Sequence, residues 1–214
     1  MEPQKVASQL RCPSGAEAPE VAQRMNESNY SLNQKCIGLL QLRASDSVLE
    51  IGPGNGAFVG DIINVAEDIT YMGLDWSAEM VAEARRINEH LVNLGCAQFQ
   101  QGNSQQLPFE SGIFDKVFTA HTLYFWENPS EHLVEIRRVM KPTGLFCIAF
   151  GNRAFMKDLP FVSYGFELYD ESKAVALLSS SGFRIIETYQ HHERGRSNAG
   201  VIVDKVIDII VCEV

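Results

Sequence analysis

Short runs of β-branched and aromatic residues alternate along the chain with stretches where apolar side chains recur every three or four positions. That alternation marks a parallel sheet whose crossovers are helices. It predicts strands over Ser47–Ile51, residues 69–74, Ala97–Gln101, Phe114–Ala120 and residues 145–150. A helix reaching about residue 66 should follow the first strand. A longer one, from Ser77 to about Leu94, carries Met80, Val81, Ala84, Ile87, Leu91 and Leu94 on one stripe.

The next helix has its own start signal. Asn128 is placed to cap it, Pro129 suits the first turn, and Glu131 stands where a capping box needs an acid. It should run to about Met140, with Lys141-Pro142-Thr143-Gly144 as the closing turn. Another helix spans residues 171–181 and stops at Gly182. Ahead of Ser47, two helices (about residues 19–26 and 30–42) should pack beside or over the sheet.

The C-terminal pattern bears on topology. Residues 183–190 and roughly 201–211 both look like strands, separated by about ten residues that include Gly195, Ser197, Asn198 and Gly200. A parallel crossover normally needs a dozen or more residues, usually helical. That link has no helical pattern, so the last two strands should be antiparallel. The expectation is an α/β protein with a seven-stranded, mostly parallel sheet, a C-terminal antiparallel strand and helices on both faces.

Composition narrows the picture. The 214 residues suit one α/β core. With 45% hydrophobic and 21% charged residues, only the first dozen or so positions are left open to disorder. A net charge of −9 disfavours a protein that grips phosphate backbones. The basic groups Arg85-Arg86, Arg137-Arg138 and Arg194 with Arg196 read as solvated helix faces or loop tips. Five cysteines, an odd number without a CxxC pair, argue against a disulfide framework and a structural zinc site and fit a reducing cytoplasm. The opening ten residues lack the apolar segment of a signal peptide, and residues 145–150 are too few to span a bilayer.

The strongest chemical signal is Val48-Leu49-Glu50-Ile51-Gly52-Pro53-Gly54-Asn55-Gly56, set between a strand and a helix. Glycines there let a nucleoside approach the main chain, and the N–H groups opening the helix face the ligand. About twenty residues on, Asp75 ends the second strand, where a carboxylate can accept both ribose hydroxyls. Ser77 can cap the following helix, which leaves Asp75 for the ligand. Gly52-x-Gly54-x-x-Ala57 also satisfies a relaxed nicotinamide-binding fingerprint. Two features favour a methyl donor over it. Glu50 would be wasted in a pure core strand, and the antiparallel C-terminal pair departs from a nicotinamide-binding second half.

The glycine loop, Gly73-Leu74-Asp75-Trp76-Ser77, residues 102–109, Phe114-Asp115-Lys116-Val117 and the stretch 135–144 together resemble class I S-adenosylmethionine methyltransferases. The closest likeness is to the small-molecule branch called type 11 or ubiquinone-biosynthesis-like, and it covers about residues 47–150. The resemblance implies a Rossmann-like methyltransferase domain over 47–214, with a small cap around 151–170. Residues 1–46 would form a helical segment able to act as a lid, through Met25-Asn26-Glu27-Ser28-Asn29-Tyr30. It further implies that Glu50, Gly52, Gly54 and Gly56 cradle the methionine and ribose of S-adenosylmethionine. Asp75 would hold the ribose, Trp76 would cover an adenine face, and Asn103 with the Ser104 backbone would read the adenine edge. His121 would border the sulfonium and the acceptor. Two positions depart from the family: Asn103 stands where Asp is usual, and Thr143 where Gly is usual. An Asn oxygen still accepts a hydrogen bond.

Methyl transfer from a sulfonium is an in-line displacement in which the protein aligns the reactants and excludes water. The loop after the fourth strand and the aromatic stretch after the fifth should meet beyond the strand ends. There Tyr124, Trp126, Phe155 and Tyr164, with Phe161, Phe166 and Tyr169 nearby, would line a pocket for a small, partly apolar acceptor. His121 is the base candidate. His191 and His192 form no metal set with carboxylates or cysteines, so no metal is expected. Two other readings remain open at this point: a non-catalytic S-adenosylmethionine-binding protein, and a nicotinamide-dependent oxidoreductase.

Overall fold

The computed structural model describes residues 2–196 and 202–214, with Arg196 described through its backbone alone. Two helices come first, α1 (Pro3–Arg11) and α2 (Ala18–Leu39). The sheet-forming part then runs β1 (Ser47–Ile51), α3 (Val59–Ile63), β2 (Thr70–Asp75), α4 (Ala78–Ile87), α5 (Glu89–Asn93), β3 (Ala97–Gln101) and β4 (Phe114–Ala120). It closes with α6 (Pro129–Val139), β5 (Met140–Gly151), α7 (Arg153–Met156), α8 (Glu171–Ser180), β6 (Arg184–Arg196) and β7 (Ile202–Glu213).

Among the described residues, seven strands form one sheet in the order β3-β2-β1-β4-β5-β7-β6. Neighbours from β3 to β5 pair in parallel, while β7 runs antiparallel to both β5 and β6. The mostly parallel α/β sheet with one reversed strand near its C-terminal edge is the one the strand pattern predicts.

Period-two geometry sends successive side chains to opposite faces of the sheet, and both faces are buried. Leu49, Phe146, Ile148 and Phe150 point to a core completed by Leu133 and Ile136 of α6 and Leu178 of α8. Val48, Cys147 and Ala149 point the other way, to a core completed by α2, α3 and α4 through Leu32, Ile62 and Val81. Each such aliphatic or aromatic side chain contributes roughly 1.5–3 kcal/mol on burial. Helices therefore cover both faces.

The chain visits β2 and β3 on one side of β1 and then returns to place β4 on the other. That reversal opens a crevice beyond the carboxyl ends of β1 and β4, the usual ligand site of such sheets.

Several elements differ from the sequence expectation, each for a local reason. The first dozen residues are ordered by α1, whose Ala7 sits in the core. The two expected N-terminal helices are one, α2, continuous for 22 residues. Between the two expected helices the chain stays helical, and Asn26 and Asn29 there line the crevice. The long helix after β2 divides at Asn88, whose side-chain amide donates to the carbonyls of Ala84 and Gly56, each at 3.0 Å. Ile87 and Leu94 consequently leave the buried stripe and are 42% and 61% exposed.

Asn128 makes no side-chain cap on α6, and the Glu131 carboxylate accepts from Gln105 at 3.0 Å rather than closing a capping box. Residues 141–144 extend β5 with an irregularity opposite Phe114 and Lys116 instead of forming a free turn. The helix after the glycine loop is only five residues long. Both C-terminal strands are longer than expected, and Gly195 lies inside β6. The predicted link residues Ser197, Asn198 and Gly200, and the predicted strand start at residue 201, fall outside the described residues.

Candidate active site

At the end of β1 the chain turns through Gly52 (φ +75°) and Gly54 (φ +58°). A Cβ on Gly52 would stand 2.5 Å from the Thr122 methyl, so this glycine lets the β4 loop close against the turn. A Cβ on Gly54 would meet nothing within 4 Å, because Gly54 faces open space. That space is a cavity of about 320 Å³. Gly52, Gly54, Glu50 and Asp75 form one side, with Trp76 beyond them. Asn103, Ser104 and Gln105 follow β3, His121, Thr122, Phe125 and Trp126 follow β4, and His132 comes from α6. Arg11, Asn26, Asn29 and Asn33 of the N-terminal helices complete the wall.

Two buried acids dominate its electrostatics. Asp75 accepts from the Gly54 N–H at 2.9 Å and the Ser77 N–H at 2.8 Å. Burial pushes its pKa up to about 6 against those bonds. Glu50 accepts from the Tyr71 hydroxyl at 2.5 Å. Burial lifts it to about 7, opposed by that bond and reinforced by the charge of Asp75. Among the described residues on this wall, Arg11 is the cationic one, and it is engaged with Glu127 at 3.0 Å and lies 5.3 Å from the Trp76 ring centre. The cavity therefore has excess negative potential and suits a cationic ligand better than an anionic one.

Around the rim, Trp76 is 49% exposed. The Asn103 side chain folds onto Gln105, accepting its N–H and donating to its Oε1, both at 3.0 Å. Ser104 Oγ lies 2.6 Å from His132 Nδ1.

A second cavity of about 70 Å³ adjoins the first and is mostly apolar. Tyr124, Phe155, Met156, Leu159, Phe161 and Phe166 line it, and Leu10, Met25, Asn29, His121 and Phe125 belong to both cavities. His121 thus stands on the shared wall. Its backbone is left-handed (φ +61°), and its Nδ1 is hydrogen-bonded to the Tyr124 hydroxyl. That hydroxyl accepts from the Gly151 N–H at 2.9 Å. Burial, helped by the Lys205 cation and opposed by Glu193, holds the His121 pKa down at about 4. The imidazole is neutral near pH 7 and a weak base there.

The expected set is therefore brought together in large part. Glu50, Gly52, Gly54, Asp75, Trp76, Asn103, Ser104 and His121 share the larger cavity, while Tyr124 and Phe155 border the smaller one. Trp126 lies on the larger cavity, its ring 4.6 Å from His132 and within 4° of parallel. Gly56 and Tyr164 line neither. A Cβ on Gly56 would stand 2.9 Å from Phe99, so this glycine serves packing, and Tyr164 is 47% exposed.

Sequence reasoning missed His132 and Asn33, while Asn26 and Asn29 fall within the expected lid stretch. Asn26, Asn29 and Asn33 recur at helical spacing, a signal readable only once α2 is taken as a single helix.

A family model described as a methyltransferase domain matches residues 49–148, a span holding the glycine loop, Asp75, Asn103, Ser104 and His121. The chain carries a class I S-adenosylmethionine-dependent methyltransferase domain. This methyltransferase is 29% identical over 130 residues to the uncharacterized methyltransferase YdaC of Bacillus subtilis, covering 60% of this chain and 69% of that protein. It is 35% identical over 127 residues to the demethylmenaquinone methyltransferase of Lactococcus lactis, covering 58% of this chain and 48% of the relative. The methyltransferase thus spans about half the length of that second relative. In fold it is similar to a SAM-dependent methyltransferase from Aquifex aeolicus, with a TM-score of 0.69 at 18% identity, over 92% of this chain and 98% of the other. Among the described residues, no helix is long and apolar enough to cross a membrane, and no group of three or more His, Cys, Asp or Glu could hold a metal ion.

Proposed function

We propose that this domain transfers a methyl group from S-adenosylmethionine, held in the larger cavity, to a small, partly apolar acceptor in the smaller one. The observation that carries the reading is the shared wall at His121, where an acidic, nucleoside-sized cavity adjoins an apolar one. The residues fit the cofactor by charge. Glu50 and Asp75 are buried acids with raised pKa values, and a sulfonium or ammonium beside them relieves the cost of their ionisation. The same acids oppose the pyrophosphate of a nicotinamide dinucleotide.

In this reading Asp75 holds the ribose, while Glu50, Gly52 and Gly54 hold the methionine and ribose portion. Trp76 covers the base, with Asn103 and Ser104 at its edge. Asn29 and Asn33 roof the cavity, so that α1 and α2 act as a lid. The bound cofactor supplies an electrophilic methyl group. The chain aligns the acceptor and excludes water, with Phe125 common to both cavities and Tyr124 and Phe155 along the apolar side. His121 is hydrogen-bonded through Nδ1 to Tyr124 and positions the acceptor heteroatom instead of carrying away its proton. The acceptor is accordingly a nucleophile that needs no strong base: one already ionised in solution, or one with a free lone pair.

The relative acting on a quinone precursor supports an apolar ring as acceptor. The net charge of −9 supports a small molecule over nucleic acid, and the cysteine pattern supports a cytoplasmic setting. Incubation with methyl-tritiated S-adenosylmethionine and a panel of phenols, quinols, carboxylic acids, amines and thiols tests the proposal. Transfer to an apolar member is expected. Cofactor binding with no transfer to any acceptor class would leave a non-catalytic binding protein instead.

A further inference from the structure

We propose that His132 reads the purine base of the bound nucleoside, as a hydrogen-bonding residue additional to Asn103 and Ser104. The inference rests on the larger cavity being the S-adenosylmethionine site. His132 lies in the first turns of α6, is only 4% exposed and lines that cavity. Its Nδ1 is 2.6 Å from Ser104 Oγ. The ring lies flat on Trp126, so its orientation is set from two sides.

Ser104 is itself buried and, among the described residues, His132 is its one side-chain partner, so a hydroxyl that only accepted would leave its hydrogen without a protein partner. The Ser104 hydroxyl therefore donates to Nδ1, and the imidazole hydrogen resides on Nε2. Nε2 has no protein partner among the described residues. On a residue that lines the cavity, that N–H is available to a bound ligand. Burial holds the imidazole pKa at about 4, so this donor persists through neutral pH.

Strand order decides what it meets. Asp75 ends β2, and the next strand outward, β3, ends just before Gly102, Asn103 and Ser104. A nucleoside held through its sugar at Asp75 and extending away from β1 carries its base toward β3, where His132 is tied to Ser104. The acceptor assigned to this N–H is adenine N1, a ring nitrogen with a free lone pair. Hypoxanthine keeps the same shape but carries a hydrogen on N1 and an oxygen in place of the amine.

The test is calorimetric affinity of wild-type protein, His132→Phe and His132→Gln for S-adenosylhomocysteine and S-inosylhomocysteine. Phe keeps the flat ring against Trp126 and removes the donor. Gln keeps an amide donor and serves if the Phe variant fails to fold. Wild-type protein should prefer the adenosyl compound. His132→Phe should weaken adenosyl binding about fivefold, the worth of one neutral hydrogen bond, and change inosyl binding less than twofold. His132→Gln should fall between. An unchanged adenosyl-to-inosyl ratio in the folded variants would overturn the base-reading role and leave the cofactor site standing. Failure of wild-type protein to bind S-adenosylhomocysteine would overturn both.

Discussion

Glu50→Gln should raise the stability of the free protein and weaken its hold on the cofactor. Glu50 is 5% exposed, and burial lifts its pKa from 4.5 to about 7. At 1.36 kcal/mol per unit, ionising it in the folded state costs on the order of 3 kcal/mol at pH 8. The sign follows from linkage. The raised pKa means the wild-type fold is relatively more stable below pH 4.5, and that advantage is lost as pH rises through 7. Gln carries no charge at any pH, and its side-chain oxygen still accepts from the Tyr71 hydroxyl. Wild type and variant should therefore melt together near pH 4, diverge between about 4.5 and 7, and differ by roughly 5 °C or more at pH 8, the variant melting higher. Calorimetry on the same samples should show S-adenosylmethionine binding at least about tenfold weaker in the variant, as expected when a charge facing a cation is removed. Thermal scans across pH 4–8.5 supply the stability half. A variant that melts at or below wild type at pH 8, or a melting difference that does not change with pH, would refute this account of the acid pair.

Tyr124→Phe removes the hydroxyl that satisfies the Gly151 N–H and holds His121, so it should cost about 1–3 kcal/mol in urea denaturation. It should also lower kcat while leaving the cofactor Kd within twofold. Lys205→Met breaks the buried pair with Glu193 at 2.6 Å and the bonds from Lys205 to Ser28 on α2 at 2.7 and 2.9 Å. Stability should fall by about 3 kcal/mol or more, and limited proteolysis should cut faster within residues 1–46. Gly52→Ala, strained at positive φ and pressed on Thr122, should destabilise by more than Gly54→Ala, which pays only the backbone cost of about 1–2 kcal/mol. Urea midpoints of the two variants decide the order.

The parts of the fold set by side-chain alternation and link length are legible in the chain. Val48 and Leu49, like Phe146 and Cys147, face opposite cores because a strand leaves them no other choice. The reversal of β7 follows from a link lacking a helical pattern. Asp75 is placed by the end of its strand and Gly52 by the turn, so their positions on the larger cavity are readable, whereas Gly56 turns to packing against Phe99. Features decided by tertiary partners are not. Asn88 ends α4 because the Gly56 carbonyl lies within its reach, and Glu131 turns to Gln105 instead of its own helix terminus. Tyr164 and Phe155 look equivalent in sequence, yet one faces outward and the other lines the apolar cavity. His132 reads as an ordinary helix residue until Ser104 and Trp126 are seen beside it.

The most direct measurement is calorimetric titration of the wild-type chain with S-adenosylmethionine, S-adenosylhomocysteine and NADH at pH 7.5. One molecule of each sulfur nucleoside should bind per chain, the sulfonium form losing affinity as pH falls through 7 toward 6 and the two acids take up protons. NADH should give no saturable heat. Saturable NADH binding with silence from both sulfur compounds would contradict the account at its centre.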